Sequence, residues 1–209
     1  MDSSRSLEII IARYKEDIEW KNQITIPCQK SIYNKFYFEG IKLENTGREG
    51  HTYLHHIYHR YHNLSDFNLF SQGDPIFHDS EFIAKINNLN INNLSLEHPI
   101  FFGISGKEGI YGNYDSRHPN GLPLYYFLDF LFNKKVSLND IFTIPYGGIF
   151  LVSKEIIRYR PKEFYGFLLK LLSNEVDPIE GYILERLWPF IFDVKLPISD
   201  KYKKFITQC

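Results

Sequence analysis

The sequence is poor in cysteine and methionine, and neither sign of charge is in excess. Two cysteines, Cys28 and Cys209, cannot build a disulfide framework, so a reducing compartment is expected. Lys+Arg 24 stand against Asp+Glu 25, a formal net charge of -1, which leaves no overall field for a nucleic-acid backbone. No nucleic-acid partner is expected, although a local basic cleft for a phosphate stays open. No stretch approaches the roughly 20 apolar residues of a membrane span. The opening Met1-Asp2-Ser3-Ser4-Arg5 lacks the basic-then-apolar order of a secretory signal. The expectation is a cytoplasmic protein with no membrane span. There is no P-loop and no Gly-x-Gly-x-x-Gly, and Gly103, Gly106, Gly109 and Gly112 are spaced too loosely to cradle phosphates. Kinases and dinucleotide enzymes thereby lose their main support.

What is abundant is aromatic: 17% of the 209 residues, with Tyr 15 and Phe 18, enough to fill a dense core or to line a cleft. The order of elements reads as a single α/β domain with a mostly parallel sheet. Leu7 to Ala12 is a β-branched run that predicts a buried parallel strand, followed by a short helix around Ile18 to Lys21. Strands are expected at Lys30 to Tyr33, Phe36 to Leu43 and Phe67 to Phe70, with a helix from His51 to Tyr61 whose Leu54, Ile57, Tyr58 and Tyr61 form one stripe. Glu81 to Leu89 predicts a helix and Pro99 to Ile104 a strand. Ser105 to Pro123 predicts a long surface loop. Beyond it come an aromatic helix from Leu124 to Phe132 and strands at Phe142 to Ile144 and Gly148 to Val152. Ser153 caps a helix, and further helices follow at Pro161 to Leu172 and Gly181 to Phe192, the last bent or divided at Pro189.

In such sheets ligands sit beyond the carboxyl ends of the strands, which here carry Arg13, Asn45 to Glu49 and Gln72 to His78. Arg48 opens a helix, where dipole and free N–H groups favour a phosphate; Glu49 beside it complements the dipole. Asp74 ends a strand segment where a carboxylate can hold a divalent cation between two phosphates, and His78 follows within reach. His51, His55, His59 and His62 fall within about 80° of arc on one helix. They read as a polar flank more readily than as a zinc site, since no glutamate follows the first histidine. Glu180 and Glu185, near Arg186 and Trp188, are candidates for a tuned base. The Gly147-Gly148 pair allows close backbone approach to a ligand, or simply makes a tight turn.

Five blocks in order carry a resemblance: Ile11 to Asp17; Asn45-Thr46-Gly47-Arg48-Glu49 with Thr52-Tyr53-Leu54; Phe70 to Pro75; Gly147 to Phe150; and Glu185-Arg186-Leu187-Trp188-Pro189. Their arrangement resembles the GT-A type of glycosyltransferase, and more closely an uncharacterised family of small proteins from fungi, bacteria and large DNA viruses. The resemblance implies a single GT-A-like domain over residues 1–209, with a nucleotide-binding half (1–75) and an acceptor-side half (76–209). It implies transfer of a sugar from a nucleotide-sugar donor, such as a UDP-sugar, to a saccharide or other hydroxyl acceptor. Arg13 and Asp17 would meet the base or ribose. Arg48 would meet the diphosphate, Asn45, Gln72 and Asp74 would complete the donor-binding set, and Mn²⁺ or Mg²⁺ would be held by Asp74 and His78. Gly147, Gly148 and Trp188 would face the acceptor, and Glu185, or else Glu180, would be the base. Gln72-Gly73-Asp74 stands where the class has Asp-x-Asp, so only the second carboxylate survives. Two rivals follow: a binding module of the same fold without catalysis, and a metal-dependent hydrolase using Asp74, His78 and the histidine stripe.

Overall fold

The computed structural model describes residues 5–109, 121–137 and 139–208. A six-stranded sheet runs in the order β3 (Ile41–Lys42), β2 (Gln29–Asn34), β1 (Leu7–Arg13), β4 (Phe67–Gln72), β8 (Phe150–Ser153), β5 (Ile100–Phe101). The pairs β1–β2, β1–β4 and β2–β3 are parallel, while β8 is antiparallel to both β4 and β5. The mostly parallel sheet flanked by helices is therefore present. A separate two-stranded ribbon pairs β6 (Ser105–Gly109) with β7 (Ile141–Pro145).

Each central strand buries both faces, and the period of two sorts its residues between two cores. Ile10, Ala12, Phe70, Phe150 and Val152 pack toward α1 (Arg48–Arg60), α5 (Lys162–Leu171) and α6 (Ile179–Ile191). Leu7, Ile9, Ile11, Leu69, Ile149 and Leu151 face the other way, onto Trp20 and onto Phe82 and Ile86 of the short α2 (Phe82–Asn87). The first core also takes in α3 (Leu124–Phe132) and, through Tyr202, the C-terminal α7 (Asp200–Gln208); α4 (Lys154–Tyr159) follows β8 directly, with Ser153 Oγ accepting the Ile156 N–H at 3.2 Å. Among the described residues, no helix is long and apolar enough to cross a membrane.

Several expectations need correction. Only Ile41–Lys42 of the span 36 to 43 is a strand, because a bend with Gly40 at φ +83° turns the chain first. The expected loop from Ser105 begins as β6, whose alternation was masked by its two glycines; residues 110–120 of that loop lie outside the described residues. The strand at 99 to 104 shrinks to two residues, and the helix after β1 is a 3-10 turn, Glu19–Gln23. The helix α7 was not anticipated. α6 runs on across Pro189, whose missing N–H leaves the Glu185 carbonyl without its helical donor.

Candidate functional site

The strand order reverses direction between β1 and β4, and the crevice beyond their carboxyl ends is a pocket of about 430 Å³. Arg13, Tyr14 and Glu16 reach it from the end of β1, Lys35 from β2 and Gln72 from β4; Asn45, Arg48 and Glu49 come from the entry to α1, and Asp177 and Tyr182 from the entry to α6.

The two helix entries are tied together by backbone. The Gly47 and Arg48 N–H groups donate to the carbonyls of Glu175 (2.8 Å) and Val176 (3.4 Å). The chain enters α1 through two left-handed residues, Gly47 (φ +59°) and Arg48 (φ +51°). Arginine tolerates that region at a cost, and here its surroundings fix it. The Lys35 ammonium donates to the carbonyls of Thr46 and Arg48, bracing this bend from β2. Burial pulls the Lys35 pKa down to about 8, partly countered by Glu49.

Arg48 lies over the Tyr182 ring (4.3 Å), with Nε 3.7 Å from both Glu49 Oε2 and Asp177 Oδ1. Burial works against its charge, yet Glu49, Glu185, Tyr182 and Asp177 together raise its pKa. Gly181 leaves room for the arm of Arg48 on α6, since a Cβ there would stand 3.7 Å from Arg48 Cδ. Arg13 is held by Glu16 O (3.0 Å), Glu39 Oε2 (3.3 Å) and the Tyr37 ring (4.5 Å).

Behind Arg48 stand two carboxylates. Glu185 Oε1 accepts the Gly147 N–H at 2.8 Å, and Arg186 Nη1 lies 3.6 Å from its other oxygen. Burial raises the Glu185 pKa, the Glu49 carboxylate raises it further, and the Gly147 N–H, Arg186 and Arg48 pull it back only in part. Glu49 lies against the same glycine turn, 3.7 Å from where a Gly148 Cβ would stand. The fully buried Tyr53 points into this acidic corner, its hydroxyl without a hydrogen-bond partner among the described residues, and burial together with Glu49 and Glu185 drives its pKa well above the usual phenol value. A carboxyl group whose ionisation is suppressed next to a cation that holds its charge is the equipment of acid–base chemistry beside an anionic group.

Of the residues singled out from sequence, Arg13, Asn45, Arg48 and Gln72 line the pocket, and Glu185 stands beside Arg48 and Glu49. The others are placed differently. Trp188 is 2% exposed, stacked on Phe192 and packed on Phe150, so it is a core residue and not an acceptor contact. Asp17 is exposed and caps the 3-10 turn by accepting the Glu19 N–H (2.8 Å). Asp74 is exposed, accepts the Phe77 N–H (3.2 Å) and is not part of the pocket lining. The His78 ring is wedged against the Gly147–Gly148 turn, 2.9 Å from where a Gly147 Cβ would stand. Glu180 falls about 140° around α6 from Glu185, on a different face. Among the described residues, no group of three or more His, Cys, Asp and Glu is arranged to hold a metal ion. A magnesium-type site needs only one or two carboxylates when phosphates supply the remaining oxygens, so Asp74 fits such a cation only with a diphosphate in place.

Sequence reasoning overlooked Tyr14, Lys35, Asp177 and Tyr182, and gave Glu49 no more than a dipole role. For Lys35 and Tyr182 the signal was position alone: one just past a strand, the other one turn into a helix.

Residues 9–100, under half of the chain, match a family described as "Protein of unknown function (DUF3431)". No curated protein and no solved structure matches. The matched stretch contains Arg13, Lys35, Arg48 and Glu49 but ends before Gly147 and Glu185.

Proposed function

We propose that this chain is a GT-A-type glycosyltransferase that moves a sugar from a nucleotide-sugar donor to an acceptor hydroxyl. The observation that carries the reading is the meeting of Arg48 with the Glu49–Glu185 pair at a switch-point pocket whose other flanks are Arg13 and Lys35. The 3-2-1-4 strand order with a following antiparallel strand, and the left-handed turn at Gly47, support it as well.

In this reading the donor diphosphate lies across the entry to α1, against Arg48 and the Lys35 ammonium. Mn²⁺ or Mg²⁺, when bound with the donor, would be held by Asp74 and would add positive charge to the diphosphate. The Glu185 carboxylate takes the proton of the acceptor hydroxyl as its oxygen bonds to the anomeric carbon. The bond from that carbon to the diphosphate breaks, and the electron pair leaves on the phosphate oxygen facing Arg48. The raised pKa of Glu185 brings it closer to neutral, where a general base is most effective. Glu185 is preferred to Glu180 because the Gly147 N–H orients it.

A second reading, a binding module without catalysis, draws on Gln72 in place of a carboxylate and on Asp74 lying outside the pocket lining. A thermal-shift screen against UDP, GDP and their sugars, with and without Mn²⁺, tests the proposal, since a ligand that binds only the folded state raises the melting temperature. A shift with one nucleotide, together with turnover that Glu185→Gln abolishes, supports the transferase. A shift with no turnover of any sugar nucleotide supports the module. No shift at all overturns both.

A further inference from the structure

The turn between β2 and β3 presents its rings to solvent. Phe36 is 47%, Tyr37 40% and Phe38 93% exposed. The turn is nonetheless firmly built. The buried Asn34 side chain braces it, Oδ1 accepting the N–H groups of Phe36 (3.1 Å) and Tyr37 (2.8 Å) while Nδ2 donates to the Glu39 carbonyl (3.0 Å). Gly40 then reverses the chain so close to β2 that a Cβ would stand 2.7 Å from the Ile32 carbonyl oxygen. Lys42 Nζ donates to the Phe36 carbonyl at 3.2 Å.

The rings form one surface. Tyr14 meets Phe36 edge-on at 5.5 Å, and Phe36 meets Tyr37 at 5.0 Å. Cations lie over them: Lys15 on Phe36 (4.5 Å) and Lys42 on Phe38 (5.1 Å). Of the carboxylates nearby, Glu39 pairs with Arg13 at 3.3 Å while its side chain stays 72% exposed, and Glu16 accepts the Tyr14 N–H (2.7 Å). What the turn offers outward is aromatic, with the Lys15 and Lys42 ammonium groups over the rings and the exposed Glu39 carboxylate paired to Arg13. Tyr14 also lines the pocket, so this patch is the pocket's outer lip. An ordered apolar patch rimmed by charge marks an interaction surface.

We propose that the Phe36–Phe38 turn, with Tyr14, Lys15 and Lys42, docks on an anionic lipid surface and holds the mouth of the pocket against it. Rings and lysine stems reach the apolar boundary while the ammonium groups lie among lipid phosphates. A second copy is the poorer occupant, because a two-fold contact would set the same lysines against each other. The inference does not depend on the transferase reading.

Co-sedimentation of the full chain with extruded vesicles tests it. Vesicles of mixed phosphatidylglycerol and phosphatidylcholine should pellet the protein at low salt, and phosphatidylcholine alone should not. Replacing Phe36 and Phe38 together by Ser should abolish pelleting. Lys15→Gln and Lys42→Gln should each weaken it about fivefold. All substituted residues are on the surface, and unchanged circular dichroism and melting curves would exclude unfolding. The proposal is overturned if the wild type pellets with neither vesicle, if it pellets equally with both, or if the double Ser variant pellets like the wild type. It is also overturned if the wild type proves to be a dimer that this variant dissolves and that ignores vesicles.

Discussion

The backbone N–H of Gly147 donates to Glu185 Oε1 at 2.8 Å, joining a left-handed glycine turn ahead of β8 to the middle of α6. That bond positions a carboxylate which its surroundings would otherwise neutralise. The Glu185 pKa is raised by burial first and by Glu49 second, so ionising Glu185 works against its own surroundings. A group whose pKa is raised by folding supports stability below its unfolded value and withdraws that support as pH rises through the folded one. The ionised Glu185 carboxylate thus costs stability at neutral pH.

Glu185→Gln keeps an acceptor for the Gly147 N–H and removes the charge. It is expected to gain about 1 kcal/mol, read as a rise of roughly 2–4 °C in melting temperature at pH 7, with loss of any transferase activity. A lowered melting temperature would contradict the assignment. Glu49→Gln should lower the Glu185 pKa, measured by carbon-13 NMR of labelled glutamate.

Lys35→Met should cost roughly 2 kcal/mol, because the carbonyls of Thr46 and Arg48 lose a charged donor. The left-handed entry to α1 then relaxes and Arg48 with it. Urea denaturation reads the first effect, and a nucleotide-dependent thermal shift reads the second.

His56 is fully buried, its Nδ1 2.9 Å from the Tyr33 hydroxyl, and burial lowers its pKa to about 3. The unfolded chain therefore takes up a proton near pH 6.5 that the folded one refuses. Stability present above pH 6.5 is lost as pH falls toward 3, by about 2 kcal/mol at pH 5 from this residue alone. His51 and His55, both lowered to about 4 mainly by burial, push in the same direction. Urea midpoints at pH 7 and pH 5 check this, and equal midpoints would refute it.

Trp188→Ala should destabilise by roughly 3–5 kcal/mol as a core cavity. Trp188→Phe should leave ligand binding intact. If Trp188→Phe instead removed binding with the melting temperature unchanged, the tryptophan would be a ligand contact after all.

Gly47→Ala places a Cβ 2.5 Å from the Leu172 carbonyl oxygen at φ +59°, in a position that backbone cannot vacate cheaply. A loss of more than about 2 kcal/mol is expected in denaturant titration.

The sequence by itself determined the elements whose signal is local. The β-branched run of β1 and the Ser153 cap need only chain periodicity and backbone chemistry and stand where the pattern put them; the helix expected from His51 to Tyr61 is present as well, but it runs from Arg48 to Arg60 and buries Tyr53, which the expected stripe left out. Arg13, Arg48 and Gln72 were legible as strand-end and helix-start residues because a parallel sheet sends its loops to one edge. Tertiary structure decided the rest. Glu49 and Glu185 lie far apart in sequence, and no local pattern says that the backbone pairing of Gly47 and Arg48 with Glu175 and Val176 will bring α6 against α1. Trp188 was expected at the acceptor only because it stands in a block that carries the resemblance. The helix turned it inward, where stacking on Phe192 and burial outweigh anything its indole would gain at the surface.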